Sequence, residues 1–82
     1  MVNVSFEAVF EKNIGKIKDN LLKEKVKKQI AKIISLPESG KPMRFSRKGT
    51  REVYVPPFRL SYEYKKEINT IIFLDLYHKD EQ

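Results

Sequence analysis

The chain predicts an α+β fold: an N-terminal strand, an antiparallel helical hairpin, then a β-meander, together closing a twisted, mainly antiparallel sheet. Two observations carry this. Apolar residues recur at helical spacing between Ala8 and Ile34, and the pattern changes to strand alternation after Pro42. The polar stretches between the apolar runs contain proline, glycine or asparagine, as turns do. With 82 residues the chain is one small domain spanning residues 1–82, its core too modest for a deep cofactor cavity.

Residues 2–6 alternate apolar and polar side chains in a β-prone run, giving a first strand that ends near Ser5 or Glu7. From Ala8, the positions Phe10, Ile14, Ile17 and Leu21 predict an amphipathic helix reaching Asp19 or Asn20, where Asn20 can end it and cap the next. Leu22, Val26, Ile30, Ile33 and Ile34 form a second stripe, with Lys23, Lys25, Lys27, Lys28 and Lys32 mostly on other faces, until Pro37 stops the helix. The short turn between these helices predicts a hairpin that needs a sheet to cover. Candidate strands follow at residues 43–46, 51–55, 58–64 and 70–77, with turns at Pro56-Pro57 and residues 65–69.

Strand parity sorts the faces. Val53 and Val55 point one way and Glu52 and Tyr54 the other; Phe58, Leu60, Tyr62 and Tyr64 share a face, with Arg59, Ser61 and Glu63 opposite. Ile71, Ile72, Phe73 and Leu74 are apolar on both parities, as in a strand that is covered on both sides or lies at the sheet centre.

The formal charge of +6 predicts attraction to a polyanion, nucleic acid first, although a lysine-rich thermophile surface has the same composition. The chain has no cysteine, which removes disulfides and thiolate metal sites and fits an intracellular, cytoplasmic protein. The sequence shows no signal region and no apolar run long enough for a membrane span. A glycine-rich phosphate loop, a paired-carboxylate metal site and a nucleophile triad are all missing, so neither metal nor cofactor is expected.

Three constellations could carry chemistry. Lys41, Arg44, Arg47, Lys48 and Arg51 form a run without an intervening acid, suited to phosphate contact or to a solvated loop. Arg59 lies inside an otherwise apolar strand, so it belongs on the open face of the sheet. There it can stabilise a pentacoordinate phosphorus, or pair across strands with Glu52 or Glu63. His78 is the only histidine and ends the last strand beside Tyr77 and Lys79; with Glu52 it is a candidate for the proton transfers of metal-free RNA cleavage. Of the tyrosines, Tyr54 is the better placed to stack on a base, because Tyr62 and Tyr64 share the core parity.

The order strand, helical hairpin, meander, combined with Ile17-Lys18-Asp19, Pro37-Glu38-Ser39-Gly40-Lys41-Pro42, Gly49-Thr50-Arg51-Glu52-Val53, Phe58-Arg59-Leu60-Ser61-Tyr62 and Tyr77-His78-Lys79-Asp80, resembles the RelE/ParE toxin superfamily, especially its archaeal RelE-like members. The resemblance covers nearly the whole chain. It implies the toxin of a type II toxin–antitoxin pair, neutralised by a RelB-like antitoxin. RelE-like toxins enter the ribosomal A site and cleave mRNA without metal; ParE-like relatives act on DNA gyrase.

Carried over by position, Arg59 contacts the scissile phosphate, and His78 with Lys79 matches a common His-Arg pair after the last strand. Glu52 and Tyr54 stand where RelE has lysines, and Arg51 matches a commonly basic position. Glu52 and His78 then take the proton-transfer roles, as in relatives that use glutamate and histidine. RelE proteins often end in a tyrosine that stacks on the substrate base; this sequence ends at Gln82, leaving Tyr77 or Tyr54 as the platform. The expected activity is ribosome-dependent mRNA cleavage, with Arg59, His78, Glu52 and Lys79 catalytic and Arg51, Arg47, Lys48, Arg44, Tyr54 and Tyr77 on RNA. The alternative is a non-catalytic module, either a ParE-like gyrase inhibitor or a decayed toxin that mainly binds its antitoxin.

Overall fold

The computed structural model describes residues 2–42 and 49–81. Its elements are β1 (Asn3–Phe6), α1 (Ala8–Gly15), α2 (Asn20–Ser35), β2 (Lys41–Pro42), β3 (Thr50–Val55), β4 (Phe58–Lys65) and β5 (Thr70–His78), with 3-10 turns at Lys66–Ile68 and Lys79–Glu81. The predicted strand at residues 43–46 lies outside the described residues, as do Arg44, Arg47 and Lys48.

The five strands form one mixed sheet in the order β1-β5-β4-β3-β2. All neighbours are antiparallel except β1 and β5, which run parallel with Asn3 opposite Thr70 and Phe6 opposite Phe73. The turn between β3 and β4 is Pro56-Pro57, joined by a cis peptide bond. Between β4 and β5 the chain reverses through Asn69, the only described non-glycine residue with positive φ, a conformation that asparagine tolerates.

The two-sided apolar run in β5 reflects its place in the sheet rather than cover on both faces. It lies between β1 and β4, with Ile71 and Phe73 fully buried and Ile72 and Leu74 only half-buried. The register shifts here: Ser61 faces Asp75 while Tyr62 faces Phe73, so Leu74 is an extra residue in β5. The shift restores parity, setting Leu60 against Leu76 and Tyr62 against Phe73, both pairs fully or nearly fully buried.

Helix α1 packs on β5 and α2 on β3. Phe10, Ile17, Val26 and Ile33 meet Val55, Leu60, Tyr62, Ile71, Phe73 and Leu76 in a single core on one face of the sheet. Burying each large side chain contributes roughly 1.5–3 kcal/mol. Rings of Phe6, Phe10 and Phe73 tie β1, α1 and β5 together at centroid separations of 5.0–5.7 Å.

The first helix is shorter than its spacing predicts. It ends at Gly15, a poor helix former, and the N–H groups of Lys16 and Ile17 close a tight turn onto Asn13 and Ile14 carbonyls at 3.2 and 3.1 Å. Ile17 is therefore a core residue of the connection. Asp19 rather than Asn20 caps α2, its Oδ1 accepting from the N–H of Leu21 at 2.9 Å and of Leu22 at 3.3 Å. No described helix is long and apolar enough to cross a membrane.

Candidate active site

On the sheet face away from the helices, register brings three strands together at one end. Tyr54 of β3 lies opposite Arg59 of β4, which lies opposite Tyr77 of β5; one row along, Glu52 faces Ser61, which faces Asp75. The Glu52 carboxylate holds this corner together. Its Oε1 accepts from Arg59 Nη1 at 2.8 Å, and its Oε2 accepts a hydrogen bond from the Tyr77 hydroxyl across the width of β4. The Glu52 side chain is only 10% exposed and that of Arg59 38%, so the pair lies at the edge of solvent. Tyr54 flanks it, with the Arg59 Cζ 5.7 Å from the ring centroid.

The hydrogen bond that Arg59 donates to Glu52 pushes the Arg59 pKa up, partial burial opposes this, and the charges of Glu52, Tyr77 and Tyr54 add to it. Arg59 stays cationic at any pH a folded protein meets. Its Nε is buried and has no hydrogen-bond partner among the described residues. A buried donor left without an acceptor is rare.

His78 lies one residue beyond Tyr77 and on the opposite parity. It faces Phe58, their rings edge to face at 5.8 Å. The N–H of Asp80 donates to its Nδ1 at 3.2 Å, and Asp80 Oδ2 lies 3.7 Å from the same nitrogen. His78 also lines a cleft of about 220 Å³ between the end of α1 and the sheet, with Asn13, Lys16, Ile17, Phe58, Leu76 and Tyr77. Lys79 starts the following turn, its N–H donating to the Pro57 carbonyl at 3.0 Å, and its side chain is exposed.

Arg51 points toward the helix side of the sheet. Its Nη1 donates to the carbonyls of Glu38 and Gly40 at 3.0 and 2.9 Å, which ties down the segment after α2. The structure therefore gathers Glu52, Tyr54, Arg59 and Tyr77, sets His78 and Lys79 at the same sheet end but outside that group, and engages Arg51 elsewhere. Among the described residues, no three of His, Asp and Glu lie close enough to share a metal ion.

Sequence reasoning missed the Tyr77 hydroxyl as a partner for Glu52. The register shift at Leu74 hides that contact from strand parity. Sequence reasoning also missed Asn13, whose amide donates to Asp75 Oδ1 at 3.1 Å and to the Leu76 carbonyl at 2.9 Å and so fastens α1 to β5. Nothing in the helical spacing singles Asn13 out.

A family model described as the ParE toxin of type II toxin–antitoxin systems, parDE, matches residues 4–82. In the crystal structure of the intact Escherichia coli RelBE toxin–antitoxin complex, a chain 14% identical superposes with a TM-score of 0.80, covering 95% of this chain and 96% of that one. The RelBE2 toxin–antitoxin complex of Mycobacterium tuberculosis gives 24% identity and a TM-score of 0.79, with 95% and 98% covered. The YoeB/ParE toxin from Agrobacterium tumefaciens gives 12% identity and 0.83, with 94% and 98% covered. No curated protein matches significantly. At these identities the structural likeness is one of fold.

Proposed function

The chain belongs to the ParE toxin family of type II toxin–antitoxin systems, and from that premise we propose that it is a single-domain RelE-like toxin of the cytoplasm that cuts mRNA on the ribosome. The observation that supports this reading best is the open-face corner: an arginine with a buried, unpartnered Nε, beside a carboxylate and a phenol that share a hydrogen bond. Such a corner can hold a phosphate, take a proton and carry charge that develops on phosphorus.

In the proposed reaction Glu52 accepts the proton of a 2′-hydroxyl and the 2′-oxygen attacks phosphorus. The bond to the 5′-oxygen then breaks, leaving a 2′,3′-cyclic phosphate. Arg59 stabilises the extra negative charge on the pentacoordinate phosphorus. The leaving 5′-oxygen takes a proton from His78, which starts on the opposite parity from Tyr77 and, 35% exposed at the strand end, has to turn round that end to reach the open face, with Lys79 nearby for charge. Tyr54, 48% exposed beside Arg59, offers a face on which a base can stack.

RelBE and RelBE2 are seen as toxin–antitoxin complexes; by analogy a RelB-like antitoxin is the proposed partner that covers this protein. The second reading, a ParE-like inhibitor of DNA gyrase, is favoured by the family model itself and by the Glu52 carboxylate that already neutralises Arg59. Primer extension on mRNA in a translating extract separates them. Cuts at A-site codons, reduced about 10²–10³-fold by Arg59→Ala, are the expected result. Intact mRNA together with inhibited supercoiling would move the protein to the gyrase class.

A further inference from the structure

The Arg59–Glu52 pair occupies the position where a phosphate would be held. A guanidinium takes phosphate through a fork of two N–H donors; here one of its five donors, on Nη1, is given to Glu52 at 2.8 Å, and Nε is buried without a partner among the described residues. The carboxylate does not depend on Arg59 alone, because its other oxygen is held by the Tyr77 hydroxyl. Arg59 is thus held by an acceptor that has a second anchor of its own and that matches a phosphate in the sign of its charge.

We propose that Glu52 is a resident counter-ion of the phosphate subsite: in the free protein its carboxylate neutralises Arg59 and holds an Nη1 donor, and a single-stranded RNA phosphate competes with it for the guanidinium. This rests on Arg59 as the phosphate contact of the reading above, and does not depend on cleavage. As the phosphate takes Nη1, Tyr77 keeps Glu52 Oε2 in place and Oε1 is released beside the incoming phosphate. The same exchange that admits the substrate frees the oxygen to which the 2′-hydroxyl proton is assigned. Arg59 is also masked from stray anions until a ligand with enough other contacts arrives.

The proposal reverses the usual sign of a binding-site mutation. A carboxylate that merely braced Arg59 would weaken RNA binding when lost, whereas a competitor tightens it. The test measures anisotropy of a short fluorescent 2′-O-methyl RNA, which cannot be cleaved, on the full chain and on Glu52→Gln, Arg59→Ala, their double variant, and Glu63→Gln as a control for simple loss of charge from the same face. Glu52→Asp, which keeps the charge but shortens its reach, guards against a fold defect in Glu52→Gln.

Glu52→Gln is expected to bind about tenfold tighter than the unaltered chain, the size of a charge-assisted contact, with Glu52→Asp in between. The gain should disappear on the Arg59→Ala background and exceed that of Glu63→Gln. Equal or weaker binding by Glu52→Gln, or a gain that survives without Arg59, overturns the proposal. If Arg59→Ala binds as well as the unaltered chain, the phosphate-contact reading falls and takes the proposal with it. If the unaltered chain cuts no mRNA while the Arg59-dependent gain is present, cleavage falls and the counter-ion stands.

Discussion

Glu52 is the residue on which the corner depends, since it accepts from both Arg59 and Tyr77 while nine-tenths hidden from solvent. Replacing Tyr77 with phenylalanine removes a donor from a largely buried carboxylate and should lower stability by about 1–3 kcal/mol in urea unfolding. Arg59→Lys keeps the charge but not the planar fork, so mRNA cleavage should fall at least about tenfold in the translating extract. Because the Arg59 pKa is raised in the fold, its contact is fully present below the unfolded value and is lost only as pH rises through the folded one. Both lie above the workable range, so Arg59→Lys should leave the shape of the stability–pH curve unchanged between about pH 6 and 9. Parity placed Glu52, Tyr54 and Arg59 on one face from the sequence. The Tyr77 contact was not legible, because it reaches across β4 and depends on a register that the extra Leu74 shifts.

At the scale of elements, the segment joining α2 to β2 is clamped from two sides. The fully buried Tyr62 donates its hydroxyl to the Pro37 carbonyl at 2.8 Å and accepts from the Gly40 N–H at 2.9 Å, while Arg51 holds the carbonyls of Glu38 and Gly40. A Cβ on residue 40 would lie 2.6 Å from that hydroxyl, so only glycine lets the backbone approach so closely. Tyr62→Phe should cost about 1–3 kcal/mol through the buried N–H left without a partner. Arg51→Ala should raise hydrogen exchange of residues 38–41 while changing RNA affinity far less than Arg59→Ala does; an equal loss would return Arg51 to the phosphate contacts. The helix stripes and the Pro56-Pro57 turn were readable from spacing alone. The end of α1 was not, because Ile17 keeps the helical period yet reaches the core from a turn, the spacing being blind to whether the backbone between is helical.

For the whole molecule, the charge of +6 and the single core make separate predictions. If RNA is held chiefly through phosphates, log affinity should fall linearly with log salt, with a slope that counts the phosphates neutralised. Phe10 is fully buried between α1, β1 and β5, and its replacement by alanine should cost about 3–5 kcal/mol, a large part of what holds a small domain folded, as a thermal melt would show. Fold class and strand order along the chain followed from periodicity. The parallel docking of β1 on β5 did not, because hydrophobic alternation records which face a residue takes and not which neighbour its strand chooses.

That docking has a consequence in time. The strand that joins β1 to β4, β5, is synthesised after both of them, and it brings Tyr77 and His78 with it. A growing chain therefore has Glu52 and Arg59 in hand long before the phenol that anchors the carboxylate, and β1 has no parallel neighbour until β5 emerges. The step that closes the sheet is thus also the step that delivers the phenol to the Glu52 carboxylate.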